Sequence, residues 1–235
     1  VLFLFTHRLK VWGGFMQKLG EILMAAGIVA IPLLVFSILA IALIAERIAF
    51  WYQVNRRQKK VVRDSLELYK QDPSLAQEKL ERNVDLPLAR IFLEAMSLED
   101  AEPDELALAI DGATQAEIPI LKRFNNVFDT IVTLSPLLGL LGTVLGLIQS
   151  FASLNLGEIG GAKTVGVTSG ISEALTSTAF GLVVALFTLF FANTFRGFYL
   201  HQIALIQEYS AQLELLYRRR KKMLEVSYAT TTRDR

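Results

Sequence analysis

Two stretches of this sequence hold hydroxyl groups where no acid or base is present. Thr130–Gly157 and Ala174–Phe195 contain no Asp, Glu, Lys, Arg or His. In the first, Ser135, Gly139, Gly142, Gly146, Gln149 and Ser153 recur every three or four residues, and Thr143 borders them. In the second, Ala174, Thr178, Gly181, Ala185, Thr188 and Ala192 do the same. On an α-helix each set forms one face. Gly142 and Gly146 make a G-x-x-x-G pair, which lets helix backbones approach closely. Such faces support two kinds of chemistry. One is helix packing alone, with each threonine bonded to its own backbone. The other is a narrow pore whose hydroxyls hydrogen-bond water or a protonated side chain. Neither stretch can form a deep proton relay by itself, so a conducting role requires a carrier from a second polypeptide.

Glu173 stands directly before the second stretch. Ionisable groups at membrane depth are functional candidates. At the start of a helix, an acid is also favoured by the helix dipole alone. Both readings of Glu173 stay open.

Other chemistries find little support. There is no cysteine, which excludes disulfides and thiolate metal sites, and the histidines are limited to His7 and His201. No Ser–His–Asp order or paired-His metal spacing occurs, so no metal, cofactor or enzymatic constellation is expected. Gly157 to Thr164 nearly matches G-x-x-x-x-G-K-[ST], but Ala162 replaces the second glycine. A phosphate loop also needs a preceding strand, and here the segment joins two apolar runs. A net charge of +1 argues against a general polyanion binder, and no nucleic-acid partner is expected. The basic clusters read instead as topology and lipid-headgroup signals.

The elements that carry these faces follow from hydropathy. Hydrophobic residues make up 52% of the 235, little above the roughly 45–50% of a soluble domain, so their distribution is the stronger signal. Ile22–Ala45 is a third uncharged run, and about 20 apolar residues span a hydrocarbon core. The fold class expected is an all-α integral membrane protein with three transmembrane helices at 24–52, 130–154 and 171–195. Residues 1–23 have the spacing of an N-terminal amphipathic helix lying on the membrane. A cleavable signal peptide is disfavoured, because the apolar run is too long. Pro32 is placed to kink span one, and Phe50, Trp51 and Tyr52 form an interfacial aromatic belt.

Residues 53–129 read as a helical soluble segment. Asp72-Pro73, Asp85-x-Pro87 and Glu102-Pro103 mark helix starts. From Pro103 one long helix is expected to run through span two, bent at Pro119 or Pro136. Residues 155–170 read as a short loop. Span three continues as a helix into 196–235, whose last residues read as disordered. Basic residues follow span one (Arg56, Arg57, Lys59, Lys60, Arg63) and span three (Arg218–Lys222). They place 53–129 and 196–235 in the cytoplasm and the N-terminus outside, so helices 2 and 3 extend into the cytoplasm.

Leu134-Ser-Pro-Leu-Leu-Gly-Leu-Leu-Gly-Thr-Val-Leu-Gly-Leu-Ile-Gln-Ser-Phe151 resembles the second-span signature of the MotA/TolQ/ExbB proton-channel family. Gly170-Ile-Ser-Glu-Ala-Leu-Thr-Ser-Thr-Ala-Phe-Gly-Leu182 resembles its third-span signature. The three-span plan is most similar to ExbB, with TolQ next. The resemblance implies a homopentamer in the bacterial inner membrane around an ExbD/TolR-like single-span partner with an intramembrane aspartate. It implies work passed to a TonB-like protein for transport across the outer membrane or, for a TolQ-like subunit, to cell-envelope integrity. Thr143 and Thr178 match the family's pore-facing threonines, Glu173 its acidic position and Pro136 its second-span proline. A non-conducting membrane scaffold is the rival reading.

Overall fold

A computed structural model describes residues 27–98, 101–152 and 162–233, with side chains up to 226 and excluding 162–165. The expected amphipathic helix at 1–23 lies outside the described residues. A 3-10 turn, Gly27–Val29, leads into α1 (Ala30–Gln71). Then follow α2 (Pro73–Glu81), α3 (Pro87–Met96), α4 (Pro103–Leu121), α5 (Asn125–Ala152) and α6 (Ala162–Arg233). Among the described residues there is no strand. Three runs, Gly27–Gln71, Pro103–Ala152 and Gly166–Val226, are long and apolar enough to cross a membrane. The protein is therefore all-α with three candidate spans.

Prolines open the short helices. Pro73, Pro87 and Pro103 are the first residues of α2, α3 and α4, where a missing N–H costs no helical bond. Asp72 caps α2, accepting from the Ser74 N–H at 2.9 Å and the Ser74 hydroxyl at 2.8 Å. Those two hydrogen bonds hold its carboxyl below the usual aspartate range. Glu105 reaches back to the Glu102 N–H at 2.7 Å, closing the first turn of α4. Asp85 does not cap α3: it accepts from Gln53 and Arg57, each at 2.6 Å, and Leu86 is the cap residue.

Four expectations are corrected. Pro32 is the third residue of α1, where its missing N–H removes no bond within the helix, so it sits in the opening turn and not at an interior kink. The single helix from Pro103 through span two is interrupted. It stops at Leu121, two residues after Pro119, whose missing N–H leaves the Gln115 carbonyl without its helical donor, and Phe124 at φ 68° blocks continuation before α5 restarts at Asn125. Bulky residues seldom adopt this left-handed geometry. Pro136, by contrast, sits inside continuous α5. Residues 162–170, read as loop, already belong to α6, and α6 runs to Arg233 where disorder was expected. No proline occurs after Pro136 and no glycine after Gly197, so the chain lacks a strong helix terminator there.

The chain divides into two compact units. One joins the described residues up to Ile44 with Phe124–Asn193, and the other joins Ala45–Arg123 with Thr194–Arg235. The second unit has a core of Val62, Leu80, Leu86, Leu88, Ile91, Phe92 and Leu106, all at most 1% exposed. It also contains a bidentate ion pair between α3 and α4. Arg90 Nε and Nη2 donate to the two Glu117 oxygens at 2.6 Å each, and Nη1 donates to the Val84 carbonyl at 2.6 Å. Glu117 is 6% exposed and the Arg90 side chain 33%, so losing the carboxylate leaves a partly buried guanidinium with only the Val84 carbonyl. Glu117→Ala is expected to lower stability by about 2–3 kcal/mol, measured by chemical denaturation of the detergent-solubilised chain.

Candidate functional site

The striped faces of α5 and α6 meet each other within one chain. Their contact runs over about four helical turns and is made largely of backbone. A Cβ on Gly146 would lie 2.7 Å from the Gly170 carbonyl oxygen, and one on Gly181 would lie 2.5 Å from that of Ser135. A Cβ on Gly139 would lie 3.0 Å from the Thr178 Cα, and one on Gly142 would collide with Ser177. At Gly146 and Gly181 the neighbour met is a backbone carbonyl that cannot rotate away, whereas at Gly142 it is the Ser177 side chain. Ser135, Ser177 and Thr188 are fully buried, and Ala174 and Ala185 nearly so. Gly139, Gly142, Gly146 and Gly181 are buried with them, while Pro136 is half-buried.

Each seam hydroxyl has a carbonyl to donate to. Thr178 Oγ1 crosses to the Gly139 oxygen at 2.9 Å. Ser177 donates to Ala174 at 2.8 Å within its own helix, with Gly139 a longer contact at 3.4 Å. Ser135 donates to Ile131 at 2.6 Å, Thr188 to Val184 at 2.8 Å, and Ser150 to Gly146 at 2.9 Å. Thr143 is half-buried, and its hydroxyl donates to the Leu140 oxygen at 2.6 Å. A hydroxyl has one hydrogen and two lone pairs. With its hydrogen committed to the backbone, Thr143 offers a further partner an acceptor. It therefore suits a protonated, neutral side chain or a water better than a carboxylate.

The three proton-pathway candidates separate. Thr143 lies one turn beyond Gly139, which receives Thr178, so both threonines belong to one seam. Glu173 turns elsewhere: its half-buried carboxylate rests against Gly27, in the 3-10 turn before α1. Gly27 has φ 65°, which favours glycine.

Sequence reasoning missed Ser177, which fills the gap over Gly142, and Gly170, which was assigned to a loop but packs on Gly146 and Ser150. Gly170 was readable: it precedes Ala174 by four residues and extends the stripe one turn. The outward faces are bulky and bare. Leu140, Ile148, Leu175, Leu186 and Phe190 are all more than half exposed, which suits lipid or neighbouring helices and not water.

Residues 83–208 match the MotA/TolQ/ExbB proton channel family. The chain belongs to this family. It is 59% identical over 209 residues to the putative biopolymer transport protein ExbB-like 3 of Synechocystis sp., covering 88% of this chain and all of that one. It is 37% identical over 193 residues to ExbB-like 1 of the same organism, covering 82% and 76%. Biopolymer transport protein ExbB of Neisseria meningitidis is 30% identical over 175 residues, covering 67% and 76%. The match contains α3, α4, α5 and α6 up to Glu208, and so the whole seam. This ExbB-like chain is thus a membrane protein of a transport and proton-channel family.

The seam makes a contrast between two glycines. Gly146→Val forces α5 and α6 apart and is expected to cost about 1–3 kcal/mol. Gly112→Ala, in α4 with nothing within 4 Å of the new Cβ, is expected to gain up to about 1 kcal/mol of helix propensity. Thermal unfolding of both variants in one detergent checks the pair.

Proposed function

We propose that this chain is the pore-forming stator subunit of an ExbB-like motor driven by the proton gradient. Five copies would surround a single-span partner of the ExbD/TolR kind in a bacterial inner membrane. The observation that carries this reading is the chemistry of spans two and three: packed hydroxyls and glycines, with no ionisable side chain between Thr130 and Gly157 or between Ala174 and Phe195. A proton crossing beside these helices needs a carrier, and an aspartate on the partner supplies one. Thr143 would accept a hydrogen bond from that aspartate in its protonated form, lowering the cost of carrying a neutral acid through a dry passage. Thr178 would hold the passage to a fixed width by tying α6 to Gly139.

Glu173, at the outer end of span three, would face the proton source. On this reading residues 53–129 and 196–235 are cytoplasmic, the connection between α5 and α6 and the N-terminus are outside, and the chain is not an enzyme. Movement of the partner inside the pentamer would pass work to a TonB-like protein and drive transport across the outer membrane. A TolQ-like subunit would use the same passage for envelope integrity, and the identity of the partner separates the two.

The test is proton flux into liposomes holding the chain together with a single-span partner bearing an intramembrane aspartate. Flux is expected with both proteins and not with either alone. Thr143→Ala and Thr178→Ala are each expected to reduce flux to background with the complex still assembled, while Thr143→Ser conducts. Wild-type flux in both alanine variants would sink the threonine role. No flux from the intact pair would favour a non-conducting scaffold.

A further inference from the structure

Where span one ends, α1 and α6 border a cleft of about 410 Å³ lined by Ile48, Trp51, Tyr52, Asn55, Arg56 and Phe198. Ile48, Tyr52 and Arg56 are four residues apart, so they form one face of α1 about 12 Å long. Polarity changes along that face in a single direction. Ile48 is 49% exposed, Tyr52 is 62% exposed, and Arg56 is exposed beyond it. Phe198 adds a second apolar wall from α6, its ring tilted against Trp51 with centroids 5.8 Å apart.

Two groups in this cleft are incompletely partnered. Arg56 donates to the Tyr52 hydroxyl at 2.7 Å and lies 5.7 Å over its ring, but it has no carboxylate partner among the described residues. Arg57, one residue on, is neutralised by Asp85 at 2.6 Å. Trp51 is 2% exposed, and its indole N–H is buried with no acceptor among the described residues. A buried donor without an acceptor is rare and costly.

An apolar wall, then aromatic rings, then an uncompensated cation match the order of acyl chain, ester and phosphate in a phospholipid. The cleft also lies where the uncharged run of span one gives way to charge, at the depth where headgroups begin. We propose that it is a binding site for one anionic phospholipid. The phosphate sits on Arg56, oriented by the Tyr52 hydroxyl. An acyl chain runs along Ile48 and Phe198, with the edge of Trp51 behind it. The proposal is independent of whether the passage beside α5 and α6 conducts protons.

Delipidated full-length chain in a neutral detergent is titrated with phosphatidylglycerol and with phosphatidylcholine of identical acyl chains, and bound lipid is counted by native mass spectrometry. One guanidinium near a headgroup predicts about a fivefold preference for phosphatidylglycerol. Arg56→Gln is expected to erase that preference and Arg56→Lys to retain most of it. Arg57→Gln, whose charge is already paired, should change it by less than about twofold. Circular dichroism shows that each variant keeps its helices. The proposal is overturned by equal binding of the two lipids to the wild type, or by an undiminished preference in Arg56→Gln. An equal loss in Arg57→Gln, the mark of a diffuse basic surface, overturns it too. So does a change in copies per particle caused by Arg56→Gln, because a second copy would then be the occupant.

Discussion

The contact between α5 and α6 is backbone on backbone, and the rest of the membrane unit depends on it. At Gly146 and Gly170 the approach leaves no room for a single methyl on either helix. In lipid there is little hydrophobic drive to bring helices together, so close van der Waals packing and interhelical hydrogen bonds must do it. Glycine supplies the first and Thr178 the second, through its bond to the Gly139 oxygen. Because the small residues are used up in this seam, the large ones point outward. The exposed leucines and phenylalanines of both helices follow from the same choice that buried the glycines.

That geometry changes the meaning of the stripes. Read as sequence, the two faces suit either a pore lining or a packing surface. Folded, most of each stripe is spent on the other helix of the same chain. What is left for an outside partner is narrower: the half-buried edge at Thr143 and its neighbours. The hydroxyls there are already donating to carbonyls, so the edge is weakly basic and has no acid of its own. It is a surface that tolerates a neutral, protonated acid and gives an anion little.

Much of the fold was legible because it rests on local rules. Uncharged runs long enough for a bilayer are hard to explain otherwise, and Pro73, Pro87 and Pro103 start helices for a reason internal to one turn. The failures are where a local rule needs a tertiary fact. Pro119 and Pro136 look alike in sequence, yet the helix breaks after one and continues through the other. The difference lies in Phe124, whose left-handed backbone no residue-type preference would forecast. Asp85 had the spacing of a helix-start residue but serves Arg57 and Gln53 on another helix. Gly170 was lost to a loop because a glycine near a glycine-rich stretch reads as a turn unless the stripe is followed one step further.

Arg47 shows the same limit from the other side. In sequence it marks the polar end of a span and nothing more. In the folded chain it is 2% exposed, paired with Glu46 at 3.0 Å and set 4.7 Å over the Phe50 ring. Its Nη1 reaches the Ile120 carbonyl at 3.4 Å. That carbonyl also accepts from the Arg123 N–H at 3.3 Å, and the left-handed Phe124 leaves it without the residue-124 donor of a continuing α4. A cation at the open C-terminal end of a helix is favoured by the exposed carbonyls and by the dipole. The buried arginine and the broken helix therefore explain each other. A carbonyl oxygen has two lone pairs: at Ile120 the Arg123 N–H takes one at 3.3 Å and Arg47 approaches the other, so the break gives the buried cation a partner that a continuing helix would share less freely.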